Sequence, residues 1–175
     1  MTVELTGIPV LETERLILRG PKPADQQGYL RFMLSQRSQY IGRAKTVGDA
    51  WRSFAKEFGH WAILGYGMWS VTLKGDDTCL GAVGCWYPEG WPAQELGWTL
   101  WEEAEGKGIA YEAAVAARDH AYNVLGWTTA VSYIDPANAR SIALAERLGC
   151  VLDTEAPRPD PDDLVYRHPS PEDLS

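Results

Sequence analysis

The sequence has little cysteine and no long apolar run, and both absences narrow the possible classes of protein. Its 175 residues include three cysteines, Cys79, Cys85 and Cys150, which lie far apart and without CxxC spacing. Neither a disulfide framework nor a metal site is therefore expected, and a reducing compartment suits the chain. Because no apolar run approaches the ~18 residues of a membrane helix and the start lacks a signal-peptide pattern, we expect a soluble, cytoplasmic protein.

Positive charge is also scarce. Asp and Glu number 24 against 16 Lys and Arg, which gives a formal net charge of −8. A chain without a run of Lys or Arg repels a phosphate backbone, so nucleic acid is not an expected partner. The acidic excess attracts amines mildly, although many soluble proteins carry such an excess simply to remain dispersed.

The order of secondary structure indicates one α/β domain. A chain of 175 residues with 45% hydrophobic residues can bury one core but is short for two domains, so we interpret residues 1–175 as one domain with a flexible tail over about 169–175. The predicted strands are ERLILRG, MWSVTL, CLGAVGCWY, AQELGWTLW, WTTAVSYI and, at a sheet edge, DDLVYRHP. The predicted helices are PADQQGYLRFML capped by Asp25, GDAWRSFAKEFGHW ending at Gly59, an alanine-rich helix over 110–125, and PANARSIALAERL ending at Gly149.

The segment EGKGIA, residues 105–110, joins a predicted strand to the alanine-rich helix. Glycines let successive backbone N–H groups point into one concavity, and the first turn of a helix adds unpaired donors and partial positive charge. Such a loop suits a pyrophosphate, to which Lys107 adds a full charge. The loop matches neither the Walker pattern nor GxGxxG, and a GKG turn is also an ordinary tight turn.

With its surroundings, this loop resembles the acetyl-coenzyme A (acetyl-CoA) binding core of the GNAT N-acetyltransferase superfamily, nearest the ribosomal-protein N-terminal acetyltransferase branch. The motifs are ELGW on a strand, GKGIAYEA at a helix start, DPANARS and the closing ERLG, in that order, and the likeness extends over roughly residues 11–150. The resemblance implies an α/β (α+β) fold in which a mixed, mostly antiparallel central sheet is flanked by helices on both faces.

The resemblance also implies acetyl-CoA as cosubstrate and assigns its binding residues by position. The strand before the loop would splay from the next strand, so that the backbone near Leu100 reaches the pantetheine arm. Asn138 matches the asparagine that contacts the pantetheine, and a helix N-cap is its other interpretation. Glu105 stands where the family has Gln or Arg, so its side chain is expected to point away from the phosphates. The backbone amides assigned to the pyrophosphate are those of Gly106, Lys107, Gly108, Ile109 and Ala110.

The implied reaction is direct transfer of an acetyl group to a primary amine. An alkyl ammonium has a pKa near 10, so a base must remove its proton at neutral pH. Glu95 is the candidate base if partial burial raises its pKa, a solvated strand residue is the alternative, and Tyr133 and Asp135 are second choices. Ser141 matches the serine that protonates the departing thiolate in the ribosomal branch, because Ala145 stands where many relatives have tyrosine. Ser141 could instead merely satisfy the first turn of its helix.

The acceptor is the least determined part of the function. A protein N-terminus and a small-molecule amine both remain open, as do a monomer and a homodimer. The alternative function is a non-catalytic module that binds coenzyme A as a sensor or scaffold. Three histidines belong to no recognisable triad: His60, His120 and His168. Four aromatic residues could line an acceptor pocket, form a dimer contact or fill the core: Trp86, Tyr87, Trp91 and Trp98.

Overall fold

The computed structural model describes residues 5–174, which contain eight strands and four α-helices. The strands are β1 (Leu11–Glu12), β2 (Leu16–Arg19), β3 (Met68–Leu73), β4 (Asp76–Trp86), β5 (Glu95–Leu100), β6 (Val131–Ile134), β7 (Val151–Leu152) and β8 (Leu164–Arg167). The α-helices are α1 (Gln26–Leu34), α2 (Val47–Leu64), α3 (Ile109–Asn123) and α4 (Ala139–Arg147). Short 3-10 helices cover Pro23–Asp25, Gln36–Ile41 and Glu102–Ala104.

All eight strands form one mixed sheet in the order β1-β2-β3-β4-β5-β6-β8-β7. Neighbouring strands are antiparallel except β5 and β6, which are parallel. A parallel pair needs a crossover connection, and α3 lies on the one that links β5 to β6. The expected mixed, mostly antiparallel sheet is confirmed.

One face of this sheet packs against α3. Leu18 pairs with Val71 and Cys85 pairs with Leu96, so the register places these buried side chains on a common face. Four alanines of α3 are buried in the same apolar cluster, and their small side chains let the helix lie close to the strands. They are Ala113, Ala114, Ala117 and Ala121.

The opposite face is covered by α1 and α2. Ser70 alternates with Val71 and donates a hydrogen bond of 2.8 Å to Asp25 at the start of α1. Side chains of the two helices form a second apolar cluster, which contains Tyr29, Phe32, Phe54 and Trp101. The sheet therefore has helices on both faces, as expected.

One expected helix end is wrong, and one expected side-chain cap does not form, although Asp25 does lie at the N-cap position of α1. Helix α2 continues through Gly59 to Leu64 and ends at Gly65, whose φ of 76° is the left-handed conformation. Asp25 makes no side-chain cap of α1. Both of its carboxylate oxygens instead accept hydrogen bonds of 2.9 Å from Arg19, so a buried ion pair replaces the expected cap.

The C-terminal segment also differs from expectation. The predicted edge strand DDLVYRHP contains β8, but β8 lies between β6 and β7, and the two-residue β7 forms the edge. Beyond it, the Pro169 carbonyl accepts a hydrogen bond of 2.9 Å from Tyr122, and Ser170 donates one of 2.7 Å to Asp173. The flexibility of residues 169–175 stays a prediction. Between residues 5 and 174, no helix is both long and apolar enough to span a bilayer.

Candidate active site

Strands β5 and β6 diverge almost as soon as they meet. Their one register pair is Glu95 with Val131, and the Val131 amide donates to the Gln94 carbonyl over 2.9 Å. One residue further along, the strands are joined through a side chain and not through backbone groups alone. The Ser132 hydroxyl donates a hydrogen bond of 2.6 Å to the Leu96 carbonyl. The divergence opens a slot through the sheet, as the resemblance implies.

A buried histidine lies beside the slot and contacts Ser132. His168 Nε2 lies 3.0 Å from the Ser132 hydroxyl, whose hydrogen is already donated to Leu96. The ring nitrogen must therefore be the donor, which fixes a neutral tautomer. Burial lowers the pKa of His168 to about 3. His168 is therefore a structural residue of the slot.

A cleft of about 620 Å³, the cofactor cleft, lies on the α3 and α4 side of the slot. Its walls include the glycine loop, the start of α4 and the 3-10 helix Gln36–Ile41. Phe32 and Leu144 add apolar surface. Six of the residues assigned to acetyl-CoA from the sequence line it: Leu100, Gly106, Gly108, Ile109, Ala110 and Asn138.

The glycine loop has the backbone that the sequence pattern predicts. Gly106 and Gly108 have φ of 70° and 75°, which is the left-handed region, and Gly108 is the N-cap of α3. The loop is anchored from outside by Arg15, which donates a hydrogen bond of 3.0 Å to the Lys107 carbonyl. The first turn of α3, whose amides have no partner within the helix, borders the cofactor cleft at Ile109, Ala110 and Tyr111.

Positive charge in the cofactor cleft comes from arginines rather than from Lys107. The Lys107 ammonium donates to the Glu103 carbonyl over 2.7 Å, and Lys107 is not part of the cleft wall. Sequence reasoning missed the three arginines because they belong to no motif assigned to phosphate. They are Arg37, Arg140 and Arg147.

Glu105 lies in the cofactor cleft instead of pointing away from it. Its carboxylate forms ion pairs with both Arg37, on the 3-10 helix Gln36–Ile41, and Arg140, on α4. A single carboxylate therefore occupies two of the guanidinium groups that could otherwise bind phosphate.

Asn138 and Ser141 form the start of α4 at the place where the cofactor cleft meets a second cleft. The Asn138 side chain caps the helix by accepting a hydrogen bond of 3.3 Å from the Ser141 amide, so its N-cap interpretation is confirmed. The Ser141 hydroxyl accepts a hydrogen bond of 3.2 Å from Trp98 Nε1. Because the hydroxyl acts there as acceptor, its own hydrogen is available for donation.

The second cleft, the acceptor cleft, has a volume of about 870 Å³ and lies on the α1 and α2 side of the slot. It shares six residues with the cofactor cleft: Tyr40, Ile41, Trp98, Thr99, Asn138 and Ser141. Its wall also includes five residues considered from the sequence: Trp86, Trp91, Glu95, Tyr133 and Asp135. Of the aromatic group, Trp86, Trp91 and Trp98 thus line the acceptor cleft, whereas Tyr87 does not.

Glu95 is a partly buried carboxylate at the entrance to the slot. Its Oε2 accepts a hydrogen bond of 2.7 Å from Trp91 Nε1. Burial raises the pKa of Glu95 to about 7, and the Trp91 hydrogen bond opposes that rise only in part. Gly97 leaves space beside it, since a Cβ there would lie 3.5 Å from Met68 and 4.0 Å from Glu95 Oε1.

Glu57 is a second carboxylate of the acceptor cleft, and sequence reasoning missed it. It lies on α2 and accepts a hydrogen bond of 3.1 Å from the Tyr29 hydroxyl through Oε1. Burial raises the pKa of Glu57 to about 7. The only signal in the sequence was a carboxylate between Phe54 and Phe58 of an apolar helix stripe.

His60 is structural as well. Its Nδ1 lies 2.7 Å from the Tyr66 carbonyl and its Nε2 accepts a hydrogen bond from the Tyr87 amide, which again fixes one neutral tautomer. Its ring stacks on Trp86 with centroids 4.4 Å apart, and burial lowers its pKa. His120 packs edge-on against Trp69. None of the three histidines lies in a triad.

Comparison with known proteins agrees with this geometry. The family model of the acetyltransferase (GNAT) domain matches residues 15–151. The chain belongs to the GNAT acetyltransferase family. A crystal structure of an acetyltransferase from Agrobacterium tumefaciens is 42% identical to this GNAT chain, with a TM-score of 0.89 over 97% of this chain and 99% of that one.

More distant structures share the GNAT fold alone. A GNAT-family acetyltransferase from Bacillus anthracis is 20% identical, with a TM-score of 0.73 over 91% of this chain and 96% of that one. A ribosomal L7/L12 α-N-protein acetyltransferase is 14% identical, with a TM-score of 0.71 over 91% and 92%. The structural neighbours of this GNAT protein thus include the ribosomal-protein branch that the motifs indicate.

Proposed function

We propose that this GNAT acetyltransferase uses acetyl-CoA to acetylate a primary amine by direct attack. The observation that carries the proposal is the meeting of two clefts at Ser141, with Glu95 on the wall of one and the glycine loop on the wall of the other. The slot between β5 and β6 connects them. An amine bound on one side of the sheet can therefore reach a group delivered from the other side.

The cofactor cleft fits acetyl-CoA, which supplies the activated acetyl group as a thioester. Gly106 and Gly108 present backbone without a Cβ, next to the positive end of α3, so their loop suits a pyrophosphate. The Asn138 amide nitrogen makes no hydrogen bond within residues 5–174, which leaves it for the pantetheine arm. The backbone near Leu100 lines the same cleft. Lys107, Ile109 and Ala110 are proposed to contribute backbone amides.

Glu95 is proposed to accept the proton of the acceptor ammonium. A base whose pKa lies near 7 is half ionised at neutral pH, and it still attracts a proton strongly enough to act on an amine positioned beside it. The indole of Trp91 donates to Glu95 Oε2, which helps to fix the orientation of the carboxylate in the acceptor cleft.

Ser141 is proposed to donate its hydroxyl proton to the departing thiolate. Its hydroxyl is oriented by Trp98 and lies on the boundary between the two clefts. Because a thiolate is already a tolerable leaving group, this donation should matter less than deprotonation of the amine.

A thiol-release assay with a panel of primary amines tests the proposal, run beside a thermal shift titration with acetyl-CoA. We expect acetyl-CoA to raise the melting temperature and at least one amine to release free thiol. Stabilisation by acetyl-CoA without release for any small amine or peptide N-terminus would contradict the proposal and favour a non-catalytic sensor.

A further inference from the structure

The wall of the acceptor cleft is strongly acidic. Lys56 is the one cationic side chain that it includes within residues 5–174. The carboxylates are Glu57, Glu95, Asp135, Asp160 and Asp163. Such a wall favours a cationic occupant, and a cleft lined by one sign of charge also raises the local concentration of that occupant.

Glu57, in the wall of the acceptor cleft, has one carboxylate oxygen without a hydrogen-bond partner among residues 5–174. Its Oε1 accepts from Tyr29, but its Oε2 is shielded from solvent and has no hydrogen-bond partner within residues 5–174. Buried carboxylate oxygens are normally paired, and leaving one unpaired is unfavourable. A donor supplied by a ligand would remove that cost.

Glu57 and Glu95 act on the same face of the sheet but from different elements. The Glu95 side chain lies on the same face of the sheet as Gly97 and Met68, and α1 and α2 cover that face. Glu57 belongs to α2 and lines the same cleft. A simple monoamine needs one base and has no group for a second buried carboxylate. Nor do the acidic side chains of residues 5–174 converge closely enough to hold a metal ion.

We infer that the acceptor is a small aliphatic diamine or polyamine, whose reacting amine meets Glu95 while a second ammonium binds Glu57. The inference rests on the proposed function and names its substrate class. Trp86 and Trp91, which line the same cleft, offer apolar and π-rich surface to the methylene spacer and the ammonium groups. A peptide N-terminus carries one ammonium next to an amide, so it does not use Glu57.

The experiment compares α,ω-diamines of three to six carbons with monoamines of the same chain length. Thiol release by the full chain gives kcat/KM, and calorimetric titration into the protein saturated with coenzyme A gives Kd. We expect kcat/KM for the preferred diamine to exceed that of its matched monoamine at least tenfold, about 1.4 kcal/mol.

Two variants of Glu57 test the assignment. Glu57→Gln should bring the diamine-to-monoamine ratio of kcat/KM close to one, with the acetyl-CoA thermal shift retained as a check on folding. Glu57→Asp keeps the charge but retracts it by one methylene, so the preferred diamine should become longer by about one carbon. Glu14→Gln removes an exposed carboxylate outside the cleft and should leave the ratio unchanged.

The outcomes separate this inference from the proposed function. Turnover of a monoamine or a peptide N-terminus without any diamine preference overturns the inference and leaves the proposed function standing. A different result would be that diamines bind, that Glu57→Gln weakens this binding at least tenfold, and that no acceptor releases thiol. That result supports the Glu57 site and overturns the proposed acetyl transfer. A diamine preference that survives both Glu57 substitutions also overturns the inference.

Discussion

At the scale of single residues, Glu95 shows how burial changes the chemistry of an ordinary side chain. A glutamate in water has lost its proton well below pH 7 and is a weak base. Burial in the acceptor cleft raises the pKa of Glu95 to about 7, and only the Trp91 hydrogen bond and the Tyr133 backbone oppose that change. The pH dependence of turnover should therefore report this carboxyl group.

Glu95→Gln should lower turnover by ~10²–10⁴, the usual contribution of a general base, while acetyl-CoA binding is retained. Only ionised Glu95 accepts a proton, so the wild-type rate should rise as pH increases through about 7 and then level off. The variant should lack that rise. Its rate should recover in part toward pH 9, because free amine becomes more abundant.

Steady-state rates between pH 5.5 and 9 check this expectation. Ser141→Ala is the comparison, and it should lower turnover by less. A Glu95→Gln protein with the wild-type rate at pH 7, or without relative recovery at high pH, would transfer the role of base to Tyr133 or Asp135, which line the same cleft.

Glu105 makes the opposite contribution, because it competes with phosphate for cations. Glu105→Gln should release Arg140, leave Arg37 with only its 3.5 Å ion pair to Glu102, and remove a negative charge from the cofactor cleft. We expect the Kd for acetyl-CoA to fall about tenfold at low salt, with a smaller gain at high salt because of screening. Calorimetry at two salt concentrations measures the effect.

The matched control is Glu103→Gln, which removes a carboxylate two residues earlier that pairs with exposed Arg31 outside the cleft. It should leave the affinity nearly unchanged. Equal changes in both variants would mean that only overall charge matters, and no change in Glu105→Gln would show that the arginines do not contact the phosphates.

At the scale of elements, the junction of the glycine loop with α3 carries the cofactor assignment. Gly108→Val should raise the Kd for acetyl-CoA at least tenfold, about 1.4 kcal/mol, because a branched side chain would intrude on the loop. The substitution also strains a φ of 75° and places Cβ 3.4 Å from Arg15. Calorimetric titration measures the change in affinity.

Gly126→Val provides the matched control for backbone strain. Gly126 follows the other end of α3 with φ of 71°, and no atom lies within 4 Å of an added Cβ. Both variants should be less stable than the wild type, but only Gly108→Val should also bind acetyl-CoA more weakly. If the two variants bind acetyl-CoA equally well, the loop is a turn without a ligand role.

The sequence predicted an element well where the element depends on residues close together in the chain, and poorly where it depends on residues far apart. Local patterns were sufficient for the strand, glycine loop and helix around Gly108, because turn and cap preferences act over a few residues. The interior position of β8 follows from pairing with distant β6 and β7, which no local pattern encodes. Glu57 and Arg37 were missed for the same reason, since only tertiary packing brings α2 and the preceding 3-10 helix to the clefts.

Gly59 and Asp25 show a second limit of local patterns. Gly59 lies within α2, between buried residues that precede it, such as Phe54, and buried residues that follow it, such as Trp61. Because this packing stabilises the helix before and after Gly59, the low helix propensity of glycine does not end α2 there. Asp25 lies at the N-cap position of α1, but its carboxylate binds the guanidinium of Arg19 instead of an amide of the helix.

At the scale of the whole molecule, the slot between β5 and β6 leaves the sheet joined at its middle by one register pair. The strands β1 to β5 form one continuous antiparallel ladder, and β6 to β8 form another. Apolar packing against α3 and α4 holds the two together. The opening through which substrates are proposed to meet thus divides the backbone hydrogen bonding of the fold.

Hydrogen exchange should reveal that division as two cooperative units of unequal stability. Without ligand, amides of β6 and β8 should exchange through a sub-global opening at least tenfold faster than those of β3 and β4. In the proposed complex, acetyl-CoA contacts the glycine loop beside one ladder and the start of α4 beside the other, so saturating ligand should bring the slowest rates of the two ladders together. Exchange mass spectrometry with and without acetyl-CoA measures both rates, and equal protection in the free protein would contradict the division. In the proposed complex the cofactor is part of the cooperative structure of the sheet, so loss of acetyl-CoA should lower the resistance of the C-terminal ladder to proteolysis as well as stop turnover.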